Sequence, residues 1–222
     1  IQQILHAGRY GGIDLGYCIQ PSIVPQTLPH FRPPREITKD QIRTTIQQHA
    51  DAARRSIKAG FDGTEVTSFM GYLLATFNSK FTNRRTDEYG GSVKNRGRFM
   101  CELIDAIKQA QGDAPLVIRL NGTELMDRWG GNTEDESFEL MQLAADFFET
   151  HQIAYRVVGS MASMAYGEPR FTNDVDIVAE LRRAEQRLLP VFPVLEDLSL
   201  RRRQRPFVDE ALLRQPVDRF GD

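Results

Sequence analysis

The sequence predicts an α/β fold: about half of a (β/α)8 TIM barrel, followed by a strand–helix–strand segment. Three observations carry that reading. Short apolar or alternating runs at residues 1–5, 61–66 and 115–120 are each followed by a polar loop and then a helical pattern, the order of a parallel sheet with helical crossovers. Two of the helical patterns open on a capping box, Thr38 with Gln41 and Thr133 with Glu136. The loop after the second strand runs to roughly twenty residues where about two to six is usual, and in parallel α/β folds the loops at the carboxyl ends of strands carry the chemistry.

Taken in order, residues 1–5 read as a buried strand that ends in the turn His6, Ala7, Gly8, Arg9. Residues 11–35 form a loop whose proline density excludes a helix and a central strand. Ile42, Ile46, Ala50, Ala53 and Ile57 then fall at helical spacing, and Gly60 supplies the stop. After the central strand and its loop, residues 95–110 are a second amphipathic helix with Met100, Leu103, Ile104 and Ile107 inward, ended by Gly112 and Asp113. Residues 115–120 are an apolar strand with one charge, Arg119, near the carboxyl end, where a side chain points toward ligand space. Residues 121–132 are another polar loop, and Phe138, Met141, Ala145 and Phe148 form the inner face of a third helix.

Composition narrows the function classes. With 222 residues and 41% hydrophobic content, the chain can bury one good core or two small ones. A net charge of -2 and a pI near 6.1 give no global electrostatic case for nucleic acid or an anionic membrane. There is no apolar run of about eighteen residues, so no membrane partner is expected. Two cysteines, Cys18 and Cys101, are too few for a disulfide framework or a metal cluster, and reduced thiols in the cytoplasm are the expectation. The chain opens at Ile1 directly in a strand-like run, which we read as the loss of its true beginning.

Four stretches at consistent spacing resemble one family. Residues 3–9 fit Q-[IL]-x-H-A-G-R; residues 60–66 read GFDGTEV against GFDGVEIH; Gly71, Tyr72 and Leu73 supply GYL; residues 83–96 read NRRTDEYGGSVKNR against N-R-T-D-x-Y-G-G-S-x-x-N-R. Over residues 1–148 the sequence thus resembles the Old Yellow Enzyme and 2,4-dienoyl-CoA reductase family of FMN-dependent oxidoreductases. The resemblance implies a partial FMN-binding barrel in which Gln3 and Arg119 contact the flavin. NAD(P)H would be the hydride source, an enone or enoyl thioester the small-molecule acceptor, and Tyr72 the proton donor. Thr67 and Met70 stand where many members carry a His pair that grips the substrate carbonyl. Thr67 can donate one hydrogen bond and Met70 none, which moves the expected substrate toward the larger thioesters of the dienoyl-CoA branch. The later Gly-rich strand ends that hold the FMN phosphate have no match here, so FMN binding is expected to be weak or absent.

Beyond residue 148 a different pattern begins. Residues 153–158 read as a strand, Gly159 and Ser160 as a turn at a helix start, and Asp174 and Asp176 as alternate residues on one face of a further strand. Residues 149–181 resemble a partial polymerase-β-type nucleotidyltransferase segment. That resemblance implies Mg²⁺ on Asp174 and Asp176 and a nucleotide phosphate on Gly159 and Ser160. Residues 182–222 are an unassigned tail in which arginines are scattered among leucines and prolines, read as a solvated face rather than a nucleic-acid patch.

Three functions follow: an FMN-dependent NAD(P)H oxidoreductase fragment, a Mg²⁺-dependent nucleotidyltransferase, or an inactive composite of two truncated domains. The first is what the residues are shaped for; the third is the expected state of this chain. At the junction, the simplest geometry adds strand 154–158 in parallel beside 116–120. The strand of Asp174 and Asp176 is then expected at or near the sheet edge, away from Gln3 and Arg119.

Overall fold

A computed structural model describes residues 1–12, 15–26, 32–151, 153, 155–158 and 174–179. Its main sheet has five strands: β1 (Gln2–Ile4), β4 (Thr64–Ser68), β5 (Leu116–Asn121), β6 (Tyr155–Val158) and β7 (Asp174–Ala179), in the order β1-β4-β5-β7-β6. β1, β4 and β5 are parallel, with Gln3 opposite Glu65 and Thr67 opposite Arg119. Three long helices connect them: α1 (Lys39–Lys58), α3 (Val93–Gln111) and α4 (Glu134–Thr150).

Each helix starts where its sequence offers a cap. Thr38 and Thr133 both complete capping boxes, with Gln41 and Glu136, and the Ser92 hydroxyl accepts from the Asn95 N–H. The inward faces, Ile42 and Ala53 from α1, Phe99, Met100, Leu103, Ile104 and Ile107 from α3, and Met141, Ala144, Ala145 and Phe148 from α4, share one core with Val66, Leu116, Ile118 and Leu120. Strand alternation therefore assigns the two sheet faces different chemistry. Even-numbered residues of β4 and β5 meet the helices, and Glu65, Thr67, Val117 and Arg119 share the opposite face with Gln3. Among the described residues no helix is long and apolar enough to cross a membrane.

Two elements differ from the sequence reading. Residues 18–20 and 34–36 form β2 (Cys18–Gln20) and β3 (Pro34–Glu36), a separate two-stranded parallel ribbon. Pro34 fits there because each strand of such a ribbon is an edge. A short helix, α2 (Leu73–Asn78), lies within the long loop after β4, and all six of its residues are buried.

The junction is corrected. The strand carrying Asp174 and Asp176 lies near the edge as expected, one strand in, but it is this strand that sits next to β5, pairing with it antiparallel from Leu116 opposite Ala179 to Asn121 opposite Asp174. Among the described residues β6 pairs only with β7, also antiparallel, and forms the end of the sheet. The helical crossover through α4 fixes the direction of β6, which does run parallel to β5, but not its neighbour. Six-residue β7 covers the full length of β5, which four-residue β6 cannot. Phe148 of α4 stacks on Tyr155 at 5.6 Å, and Tyr155 and Ile177 belong to the common core.

Two histidines make this core sensitive to acid. His49 on α1 is buried, its Nε2 has no hydrogen-bond partner among the described residues, and His6 follows β1. Both are held below the ordinary value of 6.5, in each case chiefly by burial, with His49 adding to the shift of His6. As the pH falls through 6.5 toward the depressed values, the unfolded chain binds more protons than the folded one, so stability declines. The melting temperature is expected to drop over that window, and His49→Leu to flatten the drop. An equal slope in both proteins would contradict this account.

Candidate active site

The site is built on one face of β1, β4 and β5 and on the loops that follow them. Glu65 organises it: its carboxylate accepts from the Gln3 amide at 2.7 Å and from Arg119 Nε at 3.1 Å, with the Arg119 terminal nitrogen at 3.4 Å. A single acid thus holds the amide and the guanidinium on the same face of three strands. Arg119 also lies over the Phe69 ring at 5.4 Å. Thr67, one pleat beyond Glu65 and in register with Arg119, is 2% exposed, and its hydroxyl oxygen has no hydrogen-bond partner among the described residues. A buried orphan hydroxyl on a face lined with donors is the kind of group a ligand satisfies.

Beyond β4 the chain turns sharply. Met70 and Gly71 both have positive φ, 55° and 82°. Tyr72 then caps α2, with its ring edge-on to Tyr10 at 5.4 Å and tilted against Phe69 at 6.5 Å. The first residue of α2 is fastened to the loop after β1, where the Leu73 N–H donates to the His6 carbonyl at 3.1 Å.

A buried polar network supports these loops. Arg96 is 2% exposed and donates to the carbonyls of Asn78 and Gly91, to Asn132 Oδ1 and to Glu136. Asn132 in turn donates from its backbone and side chain to Glu124, which also accepts from the Ser79 hydroxyl. Burial pushes the Glu124 carboxyl above the usual carboxylate range, although those hydrogen bonds oppose the shift.

Of the residues predicted from sequence, Gln3, Arg119, Thr67, Met70 and Tyr72 gather on this face and the loop beyond β4. Asp176 and Asp174 stand in register opposite Arg119 and Asn121, so the expectation that they lie away from Arg119 is corrected. Antiparallel β7 starts at the end where β5 finishes. Gly159 and Ser160 lie outside the described residues. Among the described residues no group of three or more His, Cys, Asp or Glu is placed to hold a metal ion. Sequence reasoning missed Glu65, Tyr10 and Asn121. Glu65 sits inside the GFDGTEV motif, but its two partners depend on strand register.

Comparison with known proteins places this arrangement. The profile of the NADH:flavin oxidoreductase / NADH oxidase family matches residues 3–189. This chain belongs to that family. The match runs past residue 148 and across Asp174 and Asp176, the segment read above as nucleotidyltransferase-like. An NADPH dehydrogenase of Geobacillus sp. (strain WCH70) is 44% identical over 122 residues, covering 55% of this chain and 35% of that protein. A metal reductase of Desulforamulus reducens is 34% identical over 183 residues, covering 75% of this chain and 27% of that protein. The chain therefore spans about a quarter to a third of these relatives. Among solved structures, 2-naphthoyl-CoA reductase in complex with 2-naphthoyl-CoA superimposes with a TM-score of 0.59 at 37% identity, covering 63% of this chain and 23% of that one. The family's flavin suits the residues present. A flavin ring offers carbonyl and ring-nitrogen acceptors, and the Gln3 amide and the Arg119 guanidinium offer donors along one face.

Proposed function

We propose that this chain carries the flavin- and substrate-facing strand ends of an FMN-dependent NAD(P)H oxidoreductase acting on enones or enoyl thioesters. The observation that supports it is the shared face of Gln3, Glu65, Thr67 and Arg119, with Tyr72 at the turn beyond. FMN held there would supply hydride transfer from NAD(P)H to the β-carbon of the acceptor. Gln3 and Arg119 would hold the ring, and Glu65 keeps both side chains at a fixed separation. Thr67 donates one hydrogen bond to the substrate carbonyl. Tyr72 supplies the proton at the α-carbon, a phenol being neutral at pH 7 yet able to donate. Met70 adds no donor, which favours thioesters over simple enones gripped at two points. Every side chain invoked lies within residues 1–148. The family match across Asp174 and Asp176 favours this reading over Mg²⁺-dependent nucleotidyl transfer.

The test is FMN titration of the purified chain by fluorescence quenching. Arg119→Ala and Gln3→Ala are each expected to weaken FMN binding by about tenfold, the loss of one good hydrogen bond to the ring. FMN quenching that is indifferent to both changes would overturn the proposal.

A further inference from the structure

Met70 is a non-glycine residue in the left-handed region, a conformation that L side chains seldom adopt and that marks positions held by their surroundings. Two distant elements hold it. Its N–H donates to Asn121 Oδ1, at the end of β5, at 3.1 Å. Its carbonyl accepts from the Tyr10 hydroxyl, in the turn after β1, at 2.8 Å. The approach of Tyr10 depends on the next residue: a Cβ at Gly71 would lie 2.7 Å from the Tyr10 hydroxyl oxygen. The same Tyr10 ring meets the Tyr72 ring edge-on. Met70 is thus gripped on both backbone polar groups, by one side chain from each neighbour of β4 in the sheet, and one of the two also touches Tyr72.

We infer that Tyr10 and Asn121 are positioning residues that clamp Met70 in its left-handed turn and so fix where Tyr72 sits over the strand ends. This rests on the reading of Tyr72 as the proton donor. The clamp draws on all three parallel strands, because Asn121 ends β5, Tyr10 follows β1, and Met70 follows β4. A shift of any one strand relative to the others would move the phenol. With one of the two grips gone, Met70 can relax toward an ordinary φ, the chain direction into α2 changes, and Tyr72 loses its fixed place.

The test combines Asn121→Ala and Tyr10→Phe with a rescue. Tyr10→Phe keeps the ring contact and deletes only the hydroxyl. By NMR on the full chain, each change is expected to speed amide exchange at Met70 by about tenfold and to shift the Tyr72 ring resonance, assigned with Tyr72→Phe. Adding Met70→Gly to either variant is expected to return the Tyr72 resonance toward its original position, because glycine enters the left-handed turn without the steric penalty that the clamp offsets at Met70. A hydrogen bond that served packing alone would not be rescued that way. Unmoved exchange and resonance in both variants, or a shift that Met70→Gly leaves in place, would overturn the clamp. With FMN and NADPH supplied, enone reduction that coexists with unmoved NMR readouts overturns the clamp alone. Readouts that move and are rescued, in a chain that reduces no enone, support the clamp and count only against the function proposed above.

Discussion

Arg96→Ala is expected to destabilise the chain by about 3–5 kcal/mol, the range for removing one partner from a buried charged network. The side chain is 2% exposed and bonds four partners at once. Nε bonds the Asn78 carbonyl at the end of α2, one terminal nitrogen bonds the Gly91 carbonyl, and the other bonds Asn132 and Glu136 at the start of α4. A single planar cation therefore joins three loops that lie behind the site. Its loss leaves the Gly91 carbonyl without its Arg96 donor, removes one of two donors to the Asn78 carbonyl, and opens a guanidinium-sized void at the α3–α4 contact. A domain stable by roughly 5–15 kcal/mol would lose much of its margin. Urea unfolding measures it. Arg96→Lys is expected to recover little, since an ammonium cannot span the same three directions. A loss below about 1 kcal/mol for the alanine variant would show that the network is not buried as described.

What could be read from the sequence, and what could not, follows from the range of the interactions involved. α1, α3 and α4 were legible because each is capped locally and buries one face, so period and end signals agree. α2 was not, because all six of its residues are buried and no polar face marks a period. The order β5-β7-β6 escaped for another reason. A pattern of alternate residues states which side of a strand is buried, while the choice of neighbour is a long-range competition that β7 wins by length. The site divides the same way. Gln3, Thr67, Tyr72 and Arg119 came from motif positions. The role of Glu65 as shared acceptor needed the register of β1, β4 and β5. The partners of Met70 needed its φ, which no residue type at that position announces.

The second large effect is expected at Gly8, where β1 hands the chain to the turn beside α2. Its φ is 57°, so any side chain carries the left-handed penalty of about 1–2 kcal/mol. Space is the graver problem: a Cβ there would lie 2.8 Å from the Leu73 nitrogen and 2.9 Å from its Cα. Both are backbone atoms at the first turn of a buried helix, so neither can swing aside. Relief requires α2 to move away from the β1 turn, which breaks the Leu73 N–H bond to the His6 carbonyl and exposes a buried donor for about 1–3 kcal/mol more. Gly8→Ala is therefore expected to lower stability by about 3 kcal/mol or more and to displace Tyr72 with its helix. Gly71→Ala is the internal comparison. Its φ of 82° carries a similar conformational penalty, but the atom its Cβ meets, the Tyr10 hydroxyl, ends a side chain that can rotate away. Gly71→Ala should accordingly cost about 1–2 kcal/mol in urea unfolding. Equal losses for the two variants would mean that the β1 turn does not press on α2.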